Sequence, residues 1–411
     1  MRTGFRRMRA GLALAAALAI VSLGARGAAQ GSVRGGKHWV VTWMAAPMAG
    51  SANDVFRDQT IRMIVHTSIG GKRVRVEFSN AFGKRSLHIG AAHVAIRASG
   101  DAIVPGSDRA LTFDGSPSVT VPPGAPVLSD PVDLDVPPLS DLAVSLYVSG
   151  RAGPATVHQL ALQTSYISNT GNFTSAVKMP YRWTDTTWYW LTGVDVEAGP
   201  ETSAIVAFGD SITEGFNAKP NTNNSWPSQL AARLQANPAT AHLAVVNAGI
   251  SGNRILHAVD GPAGLARFDR DVLARDGVKY VIVLEGINDL GFPYLPGAHG
   301  QQQVTAREVI DGLKQIVARA HAHGLKVFGG TLTPYEGCFY YSRKGEAERE
   351  AVNRWIRSSG AFDGVIDFDA ALRDPANPLR LRPAYDSGDH LHPGAAGYKA
   401  MADAVPLSLF R

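Results

Sequence analysis

The chain of 411 residues is 45% apolar, 8% aromatic and 18% charged, with 43 glycines and 24 prolines in no periodic pattern. This composition excludes disordered, collagen-like and low-complexity chains, and the single cysteine, Cys338, excludes an intramolecular disulfide and a cysteine-rich zinc site. The formal net charge of +5 is carried by Arg2, Arg6, Arg7, Arg9 and Arg26; residues 1–29 hold no Asp or Glu, so the remainder is formally neutral and nucleic acid is not an expected partner.

Residues 1–29 read as a secretory signal peptide. Arg6, Arg7 and Arg9 form a positive start, Gly11 to Leu23 an apolar run too short to span a bilayer comfortably, and Gly27-Ala28-Ala29 a cleavage site before Gln30. The expected location is secreted or periplasmic, in a bacterium, with no stable membrane insertion after cleavage. The length that remains suggests two domains, each large enough for its own core.

Residues 38–197 carry a β pattern. Thr60 to His66, Arg73 to Phe78, His93 to Ile96 and Leu142 to Val148 run apolar or alternate over strand length, and Gly70-Gly71, Pro122-Pro123-Gly124 and Pro137-Pro138 separate them. Arg73 to Phe78 has strict period two, which predicts one dry face. Short strands with Pro/Gly turns and no helical period point to a β-sandwich of jelly-roll type.

Residues 201–411 alternate strand and helix. Ala204 to Phe208, Leu243 to Asn247, Lys279 to Leu284, Lys326 to Gly329 and Gly364 to Phe368 read as strands. Ser225 to Leu234, Val304 to His323, Glu346 to Arg357 and Ala395 to Val405 read as helices, Pro227 starting the first and Gly324 ending the second. This alternation predicts a parallel sheet covered on both faces. The boundary falls near Ala198-Gly199-Pro200.

Ligands of an open parallel sheet bind at the carboxyl ends of its strands, and the reactive side chains gather there. The strand at Ala204 runs into Gly209-Asp210-Ser211, where a serine can meet free N–H groups at a helix start. The strand at Leu243 leads to Ser251-Gly252-Asn253, and the strand at Lys279 to Gly286-Ile287-Asn288-Asp289. Before the last helix stands Asp386-Ser387-Gly388-Asp389-His390-Leu391-His392-Pro393, an acid three residues ahead of a histidine. Serine, histidine and acid are the components of nucleophilic acyl transfer, and Gly and Asn supply oxyanion donors.

Taken in order, Gly209-Asp210-Ser211, Gly252, Gly286 to Asp289 and Asp389 to His392 resemble the four blocks of the SGNH (GDSL-type) hydrolase family. The resemblance covers roughly residues 203–411, and the β-rich half is similar to an extension in a secreted subgroup. It implies a three-layer α/β/α flavodoxin-like domain with a parallel sheet behind the β-sandwich. It also implies Ser211 as nucleophile, His392 as general base, Asp389 as its orienting acid, and Ser211, Gly252 and Asn288 as the oxyanion hole, with no metal or cofactor. His392 is preferred to its neighbour His390 because Pro393 follows it directly and opens the final helix.

The expected activity is hydrolysis of carboxylic esters through an acyl-enzyme, first of short acyl (acetyl) groups on carbohydrate. Lipase or lysophospholipase activity is the alternative, and an inactive carbohydrate-binding surface module the rival from another class. An α/β-hydrolase would need G-x-S-x-G, which the sequence lacks. His321 and His323 read as solvated helix residues rather than ligands, and one of Asp367 and Asp369 as a helix cap. Trp183, Trp188, Tyr189 and Trp190 read as packing in preference to a sugar platform. Thr333-Pro334-Tyr335-Glu336 is a candidate pocket wall.

Overall fold

The computed structural model describes residues 37–295 and 302–410. The signal-peptide reading therefore lies outside the described residues. Among the described residues no helix is long and apolar enough to cross a membrane.

Strands fill residues 38–198. One antiparallel sheet runs Val132–Val136, Gly71–Ser79, Leu191–Ala198, His38–Met44; a second centres on Phe56–His66, Asp141–Ala152 and Leu87–Ser99 and ends in the edge strand Tyr181–Asp185. The period-two reading holds: Val74, Val76 and Phe78 are buried, with Arg73, Arg75 and Glu77 on the wetter face. A short third sheet joins Met48–Ala49, Thr156–His158 and Trp188–Tyr189. Trp188, Tyr189 and Trp190 lie in the core, as expected of packing residues, whereas Trp183 on the edge strand is 40% exposed.

From Ser203 onward the sheet is parallel. Its order is Leu243–Gly249, Ser203–Gly209, Val278–Leu284, Lys326–Gly330, Gly364–Ile366. Second, first, third, fourth, fifth in chain order is the flavodoxin-like arrangement, which puts the chain reversal beside the Ser203–Gly209 strand.

Local chemistry sets the helix ends. Thr305 and Glu308 form a capping box, so the long helix starts at Ala306 and not at Val304, and Gly324 at φ 73° follows its end. The last strand stops at Ile366, two residues before the Phe368 read from the sequence. Asp367 accepts from the Ala370 N–H at 3.1 Å and starts a helix at Phe368, so of the two acids it is the cap.

The described residues form one compact unit, and the β-rich and α/β parts meet along a seam that is both apolar and ionic. Val40 and Val41 share a hydrophobic core with Leu243 and Val245. The Val41 N–H donates to the Asp276 carbonyl (3.0 Å) and the Val245 N–H to Ser68 Oγ (3.1 Å). Arg75 pairs with Asp276 at 2.5 Å and the half-buried Arg275 with Glu77 at 2.7 Å. Cutting the chain at residue 200 takes Glu77 away from Arg275 and exposes this apolar face to water. Residues 201–411 expressed alone are expected to be insoluble; a soluble fragment that turns over p-nitrophenyl acetate at the full-length rate would refute this.

Candidate active site

The Ser203–Gly209 strand is buried at every residue and ends directly behind Asp210. Asp210 caps the single-turn helix Ser211–Glu214, its Oδ1 accepting from the Ile212 N–H at 2.9 Å. Its Oδ2 is buried and unpartnered among the described residues. Burial drives this carboxyl up to about 7, against the pull of the Ile212 N–H and Arg267. The cap places Ser211 at the helix start, with only 5% of its surface exposed.

The histidine arrives from a closed loop. Ser387 N–H donates to the His392 carbonyl (3.1 Å) and Gly394 N–H to the Tyr385 carbonyl (2.7 Å), folding residues 385–394 back on themselves. Inside that loop Asp389 Oδ1 accepts from the N–H groups of Leu391 (3.0 Å) and His392 (2.8 Å). An acid bonded to the backbone two and three residues ahead is a local turn device, and it brings the two side chains to one side. His392 Nδ1 then lies 2.7 Å from Asp389 Oδ2, and Ser211 Oγ lies 2.8 Å from His392 Nε2. Phe216 packs on the imidazole, ring centres 4.4 Å apart.

Burial pushes the Asp389 carboxyl up, but the hydrogen bonds and charge of His392 outweigh it and hold Asp389 well below the usual carboxylate range. Asn217 Nδ2 adds a further donor to Asp389 at 2.8 Å. His390 points elsewhere. Its Nδ1 lies 2.6 Å from Asp386 Oδ2, and its backbone takes φ 64°, uncommon outside glycine.

The oxyanion candidates lie at the neighbouring strand ends. Gly252 has φ 71°, and a Cβ there would stand 2.3 Å from Asp260 Oδ2, so both backbone and space require glycine. Among the described residues the backbone N–H groups of Ser211 and Gly252 have no acceptor in the protein. Asn288 sits at the start of the helix Ile287–Gly291. Its Nδ2 donates to the Asn253 carbonyl at 2.9 Å, and its Oδ1 accepts from the Tyr340 hydroxyl at 3.1 Å. A carbonyl can only accept, so these partners fix which way the amide faces and leave one Nδ2 hydrogen uncommitted.

Three residues that hold these groups were not read from the sequence. Tyr340 is one. Asn217 is another, six residues past the serine. The third is Arg267, fully buried, which donates to the carbonyls of Gly209 (2.8 Å) and Ala248 (2.7 Å) and to Asn253 Oδ1 (2.8 Å). A buried arginine inside the Gly264–Phe268 helix leaves no periodic mark. Other candidates fall away: Tyr335 and Thr333 are wholly buried rather than walls of an open pocket, and Glu336 is bound to Asn377 and Arg380. His321 pairs with Asp363 at 2.8 Å.

A flavodoxin-like parallel sheet with a serine hydroxyl hydrogen-bonded to a histidine at its strand ends is built for serine-hydrolase chemistry. Residues 207–400 match the model of the GDSL-like lipase/acylhydrolase family, which marks the chain as a serine ester hydrolase. Solved structures similar to about half of this chain include three bacterial proteins. A catalytic mutant of an acetylxylan esterase from Geobacillus stearothermophilus is 23% identical over 49% of this chain and 91% of its own, with TM-score 0.39. A member of the lipolytic protein G-D-S-L family from Veillonella parvula is 20% identical over 49% and 96%, TM-score 0.38. A GDSL-like lipase from Bacteroides thetaiotaomicron is 17% identical over 51% and 88%, TM-score 0.37. No curated protein matches the chain.

Proposed function

We propose that Ser211, His392 and Asp389 act as a catalytic triad that hydrolyses short-chain carboxylic esters, foremost acetyl groups carried on carbohydrate, outside the cytoplasm. The observation that carries this reading is the unbroken line Ser211 Oγ to His392 Nε2 to Asp389 Oδ2, at 2.8 and 2.7 Å. Ser211 Oγ attacks the ester carbonyl carbon while His392 Nε2 takes its proton. The N–H groups of Ser211 and Gly252 and the free amide hydrogen of Asn288 receive the charge that develops on the carbonyl oxygen. Collapse of the tetrahedral intermediate expels the alcohol, which takes the proton back from His392. Water then repeats the sequence on the acyl-enzyme. Asp389 stays ionised throughout, which keeps hydrogen on Nδ1 and leaves Nε2 free to act as base. The chemistry needs no cofactor.

Support for the substrate comes from the export leader read at residues 1–29, from the β-rich half, and from the lack of a long apolar lid segment in the sequence. A screen of p-nitrophenyl esters from C2 to C16 beside acetylated glycans tests it. Highest kcat/KM on C2 to C4 and release of acetate from glycan are expected; a maximum at C10 or longer would move the reading to lipid esters.

Asn288→Ala is expected to lower kcat by about 10²–10³ with KM little changed, because one preorganised donor is lost where charge develops. Steady-state kinetics on p-nitrophenyl acetate check this. An unchanged kcat would reduce Asn288 to a partner of Asn253 and Tyr340.

A further inference from the structure

A second buried histidine–acid pair stands close to the nucleophile, and the reaction described above does not use it. His158 comes from the β-rich half, on the strand Thr156–His158; Glu214 closes the one-turn helix that Ser211 opens. The two side chains are almost wholly buried, and His158 Nε2 lies 2.9 Å from Glu214 Oε1. The other ring nitrogen, Nδ1, lies 2.8 Å from the Ala46 carbonyl. That carbonyl can only accept, so Nδ1 carries a hydrogen. Nε2 then faces a carboxyl oxygen, and the contact is favourable only if a proton lies between them, as imidazolium with carboxylate or as neutral ring with carboxylic acid. Burial opposes charge on the ring, but the hydrogen bond and charge of Glu214, with the Ala46 carbonyl, outweigh it and raise its proton affinity; Arg267 acts in the opposite sense.

The second oxygen of the carboxyl faces the oxyanion loop. Ser251 Oγ donates to Glu214 Oε2, and Ser251 directly precedes Gly252. Backbone packing closes the same joint: a Cβ at Gly249 would stand 2.3 Å from the Glu214 nitrogen. Asn247 Nδ2 binds the carbonyls of Thr213 (2.9 Å) and Glu214 (3.2 Å). One carboxyl thus ties the turn that carries Ser211 to the turn that carries the Gly252 N–H, and a histidine from the other half of the molecule fixes that carboxyl.

We infer that Glu214 and His158 are positioning residues through which the β-rich half sets the spacing between the Ser211 hydroxyl and the Gly252 N–H. This rests on the reading of Ser211 as nucleophile and Gly252 as oxyanion donor. Oxyanion donors act only within a few tenths of an ångström of their ideal distance, so a slack joint lowers the rate of acyl transfer while the substrate-binding walls stay as they are.

The test is a set of variants with kcat expressed per serine labelled to completion by a fluorophosphonate. Glu214→Ala is expected to lower kcat by about 10- to 100-fold with KM within about twofold. Glu214→Gln is expected to stay within about fivefold of wild type. Its amide can donate to a neutral His158 and accept from Ser251, which keeps every bond without the charge. His158→Leu should match Glu214→Ala, which places the control in the β-rich half. A folded Glu214→Ala with kcat within about threefold of wild type, or a loss that Glu214→Gln does not restore, overturns the inference. Should Glu214→Ala not fold, Ser251→Ala decides: a fall in kcat of about five- to tenfold sustains the joint, and an unchanged kcat overturns it. Failure of the underlying site reading looks different, since the wild-type serine would then not label and Ser211→Ala would stay active.

Discussion

Ser211→Ala is expected to lower turnover of an activated ester by about four to six orders of magnitude while thermal stability stays close to wild type. The size of the effect follows from the way nucleophile and base act as one unit: without the hydroxyl, His392 has nothing to deprotonate but water, and only the oxyanion donors and binding remain. The small stability change follows from the position. Ser211 Oγ makes its hydrogen bond to His392 and leaves the cap of its own helix to Asp210. Loss of one hydroxyl therefore leaves the backbone bonds of the turn in place, including those of Gly215 and Phe216 to the Ser211 carbonyl. Kinetics and a melting curve on the purified variant check both parts. Retention of even a tenth of wild-type activity would remove Ser211 from its role.

The two histidines of the 385–394 loop should separate just as widely. His392→Ala is expected to be nearly as inactive as Ser211→Ala, and His390→Ala to lose less than about tenfold. The loop gives each histidine its own acid, at 2.7 Å for Asp389 with His392 and 2.6 Å for Asp386 with His390, but only His392 reaches Ser211. Asp389→Asn should fall between the two. It keeps a side chain of the same shape but loses the charge that stabilises the imidazolium and the acceptor that keeps hydrogen on Nδ1. Kinetics of the three variants on one ester settle the order. An inactive His390→Ala beside an active His392→Ala would move the assignment by two residues.

What the sequence revealed of this site is what lies close together along the chain. Asp389 and His392 are three apart in a loop before a helix, so their pairing is a local event. Ser211 stands just past an apolar strand of unmistakable type, and parallel-sheet topology then says at which end it must lie. Alternation with helices makes the sheet parallel, whereas the flavodoxin-like order came only with the resemblance to a family. The supporting contacts follow from none of this. Tyr340 reaches Asn288 across 52 residues, and Arg267 reaches Gly209 across 58. Side chains of that kind meet because the sheet brings their segments together, and neither composition nor period marks them beforehand. His158 is further removed still, since its strand belongs to the β-rich half and its partner to the turn that carries Ser211. Tyr335 fails in the opposite direction: a tyrosine after a strand end looks like a pocket wall, yet its ring packs against Tyr340 and Tyr341 inside the protein.

The seam between the halves also bears on how such a gene can be inherited. Glu77 with Arg275, Arg75 with Asp276 and Ser68 with Val245 match two segments far apart in the chain, residues 68–77 and 245–276. A recombination event between them would unite halves from two parents, and any difference in charge at these positions would leave a cation or carboxylate without its complement at the seam. Descendants that survive such an exchange must have taken both segments from one parent or changed them in concert. The two halves therefore behave as a single linkage group, and a laboratory shuffle of related genes would do best with its crossovers outside residues 68–276.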